Sequence, residues 1–146
     1  MVFTVPQWLL CYIVLIAFAI AVAGLAVAMM KVTRHLLAAS AITVILNFAW
    51  LSWPIWLAPH LSGARGTALV SWLVWLHPIF AINGALSDLG TWTHEPFMYH
   101  LTNLGQDIPY TLPPSVLPCA VAHAALGLLL CITGKREPQI NTDKHG

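Results

Sequence analysis

Four stretches without a single Asp, Glu, Lys or Arg constrain this chain more than any motif does: Met1–Met30, His35–Ala64, Gly66–Ser87 and Ile108–Gly134. Each is long enough to cross a bilayer, since a spanning helix takes about 20 apolar residues. Over the 146 residues, 59% are hydrophobic, 8% are charged and the mean hydropathy is +0.79. So little polar surface cannot face water on all sides. The same figures exclude a nucleic-acid binder, a secreted disulfide scaffold and a disordered tail. The expectation is an all-α integral membrane protein.

Turn signals divide the apolar chain into four spans, about 8–30, 36–57, 67–88 and 112–133. Lys31 to Arg34 closes the first, and Pro54, Pro59 and Ser62-Gly63 break the second. Arg65-Gly66 precedes the third, while Leu112-Pro113-Pro114 opens the fourth with prolines suited to a first turn. The fold expected is a four-helix transmembrane bundle over residues 1–134, with a polar tail over 135–146. Between helices three and four, residues 90–111 mix Trp92, Phe97, Met98 and Tyr99 with His94, Glu95, His100 and Asp107. That mixture suits a short interfacial amphipathic segment lying over the bundle. The histidines and Asp107 there read as a solvated face.

Four crossings place both termini on one side and loop 89–111, with the 31–35 turn, on the other. The terminus side then carries Arg65, Lys135, Arg136 and Lys144 against Lys31 and Arg34. The positive-inside rule accordingly puts both termini in the cytoplasm. Trp8, Trp50, Trp53, Trp56, Trp72 and Trp75 fall toward the terminus-side helix ends, as an interfacial aromatic belt would.

Polar groups inside such helices are costly, so their depth carries information. With spans centred near 46, 77 and 123, Asn47, His77 and His123 share the bilayer midplane. Helical spacing joins Ser40, Thr43 and Asn47 on one face, His77, Gly84 and Asp88 on a second, and Cys119, His123, Gly127 and Cys131 on a third. Ser40, Thr43, Asn47, Asp88 and Cys119 would then line a polar recess opening toward loop 89–111. Pro78 removes a backbone donor and introduces a kink beside His77.

Three uses of the midplane groups are open on the residues alone. They can be interhelical hydrogen bonds that set register. His77 and His123 can be axial ligands of a haem b. His77, with Asp88 at the mouth, can serve a proton relay or a quinone headgroup. Cys11, Cys119 and Cys131 form no C-x-x-C pair and give neither a disulfide framework nor a zinc knuckle. Nucleotide and hydrolase motifs are absent, so the chain does not read as an enzyme by itself. Its size suggests an accessory or anchor subunit of a larger membrane complex, with lipid and other membrane subunits or its own copies as partners. A permease-type or transporter-associated subunit and a purely structural scaffold are the alternatives.

Overall fold

A computed structural model describes residues 5–57, 60–61, 64–86 and 110–133. Every regular element among them is helical: α1 (Val5–Thr33), α2 (Leu36–Leu51), α3 (Trp53–Trp56), α4 (Ala64–Leu76), α5 (Pro78–Leu86) and α6 (Leu117–Thr133). The interfacial segment expected over 90–111, apart from Tyr110 and Thr111, and the polar tail lie outside the described residues, as does Asp88. Among the described residues, only Gln7–Thr33 qualifies alone by length and composition as a membrane-crossing helix, about 40 Å long at 1.5 Å per residue. The 66–76 and 78–86 helices qualify together as a bent pair, and α2 and α6 are shorter apolar helices.

α1 and α2 form a tight helical hairpin. Its turn passes through Arg34, whose φ of 56° lies in the left-handed region that a residue with a Cβ seldom adopts. The Arg34 amide still donates to the Met30 carbonyl at 2.9 Å, and the Thr33 hydroxyl donates to the Met29 carbonyl at 2.9 Å. These bonds satisfy orphan carbonyls at the end of α1.

The principal seam joins α1 to α6, and the two helices run parallel. Val14 shares a buried cluster with Cys119, the Phe18 ring lies 5.5 Å from that of His123, and Lys31 Nζ donates to the Thr133 carbonyl at 2.8 Å. The direction differs from that of a four-span bundle, in which the first and last helices are antiparallel. Between these points the backbones almost touch. A Cβ on Gly24 would come within 2.8 Å of Gly127 Cα, and one on Gly127 would come within 2.6 Å of the Ile20 carbonyl carbon. Two glycines facing each other permit this approach, as small residues do in membrane helix pairs.

α4 and α5 account for the change of direction. The third span was expected over 67–88 with a kink at Pro78, and its two helices do meet at His77, with a bend of 76°. Pro78 has no amide to continue the ladder, and the His77 amide turns to the Val74 carbonyl at 3.3 Å. Both arms stay at one end of the bundle. Val70, Val74 and Phe80 pack on Trp53, with Leu57, Leu61, Tyr110 and Leu112 around them. Ala81 packs on Val14, Val116 and Cys119, with Leu10 alongside, while Gly84 abuts Pro113. These partners mark the start of α1, the end of α2 and the approach to α6. The elbow reaches only as deep as Leu76, whose carbonyl accepts from Cys119 Sγ at 3.2 Å. From His77 onward the helical phase continues through α5, where the Ala81 amide donates to the His77 carbonyl at 3.0 Å, so the bend separates His77 from α4 and not from Gly84.

Replacing Gly127 with Leu should separate α1 from α6 and lower stability by about 1–3 kcal/mol, the usual cost of overpacking. Thermal unfolding in mild detergent should show a lowered midpoint for Gly127→Leu and an unchanged one for Leu129→Val on the exposed face of α6.

Candidate functional site

Of the three uses left open for His77 and His123, the haem would need them to face each other; the structure gives them separate environments. His77 is fully buried, with its ring 5.0 Å from Phe80, 5.7 Å from Trp50 and 6.3 Å from Trp53. Its Nε2 lies 3.3 Å from the Leu51 carbonyl, which can only accept, so Nε2 carries the proton in that contact. The local backbone explains why Leu51 is available. Pro54 interrupts the ladder, and the Ile55 amide turns to Ser52 rather than to Leu51. His77 thus caps the end of α2 from the elbow of the next helix pair. Its Nδ1 is buried with no hydrogen-bond partner among the described residues, and so are the indole nitrogens of Trp50 and Trp53.

His123 occupies a different setting, although it is 8% exposed. It lines a cavity of about 300 Å³ walled by α1, α2, α6 and Leu76 at the end of α4. Phe18, Asn47, Trp50, Ala122 and Leu126 share the wall, and the remaining lining residues are alanine and leucine. His123 Nδ1 lies 2.9 Å from the Cys119 carbonyl one turn back and 3.6 Å from Cys119 Sγ. The Trp50 ring packs between the two environments, 6.3 Å from His123 and 5.7 Å from His77.

This arrangement does not fit a bis-histidine haem. Axial ligation needs one free imidazole nitrogen from each side of a macrocycle. His77 Nε2 is engaged by Leu51, its Nδ1 is enclosed, and an indole packs against both rings. Among the described residues no three His, Cys, Asp or Glu side chains gather to hold a metal ion.

The expected polar recess divides in the same way. Asn47 lies on the cavity wall, and its Nδ2 donates to the Thr43 carbonyl at 2.8 Å. Thr43 is buried and donates to Ala39 at 2.8 Å, while exposed Ser40 donates to Leu36 at 2.9 Å. Both hydroxyls satisfy themselves on their own helix, so no continuous polar channel joins them. Their end of α2 lies beside Lys31 and Thr133, whereas Leu86 and Tyr110, the anchors of the intervening loop, lie at the opposite end. A recess running from Asn47 through Ser40 therefore leads away from that loop. Cys119 is buried at the elbow and donates to Leu76 rather than lining open space.

The sequence pattern assigned six of the seven tryptophans, all but Trp92, to a belt. Trp8, Trp56 and Trp72 do lie at the exposed surface, but Trp53 belongs to the core and Trp50 to the cavity wall. The available signal was spacing, since Trp50 stands three residues after Asn47 on one helix.

His77→Ala should lower stability by about 2 kcal/mol, because it opens a cavity and leaves the Leu51 carbonyl without its partner. His123→Ala, at the edge of an existing cavity, should cost less than half as much in the same thermal unfolding assay.

Comparisons with protein-family models, with curated proteins and with solved structures find no match to this chain.

Proposed function

We propose that this chain is a small multi-pass membrane protein, an accessory subunit of a membrane assembly, whose cavity seats the ring of a quinone-class ligand. The observation that carries the reading is the cavity itself. Its walls are apolar, the aromatic rings of Phe18 and Trp50 offer flat faces, and His123 and Asn47 supply localised polar groups. That combination suits a flat, lipid-soluble ring bearing oxygen substituents. A cavity of this size suits a ring headgroup better than a macrocycle.

The parallel seam also supports a specific membrane arrangement. In this arrangement α1 crosses the bilayer with the shorter apolar helices α2 and α6 beside it, and the bent pair α4–α5 takes the re-entrant of the two forms open to it, entering from one face and returning to it. Irregular backbone at depth is tolerated where protein covers it, as Trp53, Phe80 and Ala81 do here. Arg65 is then the sole basic residue on the face where α1 begins. Lys31 and Arg34 count toward the other, as do Lys135, Arg136 and Lys144 by their order in the sequence after α6. Five against one is a stronger bias than the four against two of a four-span bundle, and it places the 31–35 turn in the cytoplasm and the start of α1 outside. The exposed side chains of α2, among them Leu37, Val44, Ile45 and Phe48, face lipid or a companion subunit.

Two measurements test these readings. In a background without native cysteines, Cys at Thr111 should react with an impermeant thiol reagent from outside the cell, and Cys at His35 only after the membrane is opened. Labelling of both from one face would restore the four-span arrangement. For the cavity, protein in nanodiscs should bind tetramethylbenzoquinone or its reduced form saturably in calorimetric titration, with empty nanodiscs subtracted. Ala122→Phe should abolish that binding, whereas Leu129→Phe should retain it. Failure of both redox forms to saturate the wild-type protein removes the quinone-class reading.

A further inference from the structure

The bonds already made inside the cavity wall determine which kind of ligand can complete it. The Cys119 carbonyl can only accept, so His123 Nδ1, 2.9 Å away, must carry the proton in that bond. A neutral imidazole has one such proton. Its Nε2 is then a lone-pair acceptor, and it is the remaining polar atom of a residue that is 8% exposed and lines the cavity. Asn47 is oriented by the same logic. Its Nδ2 faces the Thr43 carbonyl at 2.8 Å, which leaves the amide oxygen and one amide hydrogen for other partners. The third polar group near the cavity, the indole nitrogen of Trp50, is buried away from open space. Every other lining residue is Phe, Ala or Leu, and those side chains neither donate nor accept.

His123 therefore presents an acceptor where an unsubstituted quinone carbonyl would present another. At His123 two acceptors facing each other gain no hydrogen bond and lose hydration, so a quinone carbonyl has only the Asn47 amide to bond, one hydrogen bond fewer than a hydroxyl makes. A hydroxyl reverses the outcome, because it donates to Nε2 while its own lone pairs can accept from the Asn47 amide. From this geometry we infer that the cavity selects an aromatic hydroxyl, the reduced quinol form of the ligand class proposed above, over the oxidised quinone and over an ether of the same shape. The inference rests on the quinone-class reading and adds the identity of the redox form. Cys119 takes part as a positioning residue, since its carbonyl fixes the tautomer without touching the ligand.

The test compares three probes of nearly equal ring shape: tetramethylhydroquinone, tetramethylbenzoquinone and 1,4-dimethoxytetramethylbenzene. Each is titrated into the protein in nanodiscs, and its affinity is corrected for partition into empty nanodiscs. The hydroquinone should bind about ten-fold more tightly than the other two, the difference expected of one hydrogen bond in a dry site. His123→Phe keeps a ring in the wall and removes the acceptor; it should reduce that preference to less than about two-fold while the ether continues to saturate. A second measurement needs no variant. In ¹⁵N-histidine-labelled wild-type protein the Nε2 resonance of His123 should shift upfield on adding the hydroquinone and stay in place on adding the ether. Equal affinities for the three probes, or a preference that survives His123→Phe, would overturn the donor selection and leave the cavity assignment standing. Absence of saturable binding by all three would overturn both.

Discussion

The close crossing of α1 and α6 is the constraint on which the rest of the arrangement depends. Gly24 and Gly127 have no Cβ to hold the backbones apart, and the helices lie against each other from Val14 and Cys119 to Lys31 and Thr133. In hydrocarbon, helices gain little from burying apolar surface, so such van der Waals contact is the available adhesive. The parallel direction then determines what the intervening chain can do. Between the end of α1 and the start of α6 it makes one full return through α2, and the bent pair α4–α5 must finish near the face from which it enters.

His77 has its importance at that bend. The elbow exposes backbone polar groups at a depth where water cannot satisfy them, and the end of α2 at Leu51 does the same nearby. The imidazole lets one irregularity complete the other, while Trp50, Trp53 and Phe80 close around it. Trp50 carries the arrangement outward, because its ring rests on His77 and also forms part of the cavity wall beside His123. A histidine enclosed in the core and one on the cavity wall are thus joined through a single indole.

The helical character of the chain was legible in its uncharged runs, and the breaks at Pro54 and Pro78 were legible because proline lacks an amide donor. Asn47 and His123 were identified from depth, and they do share one cavity. The direction of α6 was not legible: periodicity shows which residues share a face, but says nothing of which way a partner runs. Nor does composition distinguish a full crossing from a re-entrant pair, since Gly66–Ser87 is uncharged and of spanning length in either case. Ser40 and Thr43 looked like a recess because spacing reveals a stripe without revealing that each hydroxyl bonds its own helix. Trp50 was hidden by its type, since a belt accounts for tryptophans near helix ends as readily as a binding wall does.

The parallel seam also imposes an order on assembly. Gly24 and Gly127 stand more than a hundred residues apart, so α1 and α2 are complete well before the helix that covers the glycine face of α1 emerges from the ribosome. Contacts this distant in sequence form late, after the local hairpin at Arg34 is in place. Three walls of the cavity, from α1, α2 and α6, exist together only when that last helix seats. Any ligand that fits the cavity would accordingly stabilise the completed chain and find no site on the nascent one, so its occupancy would record that the last helix has seated.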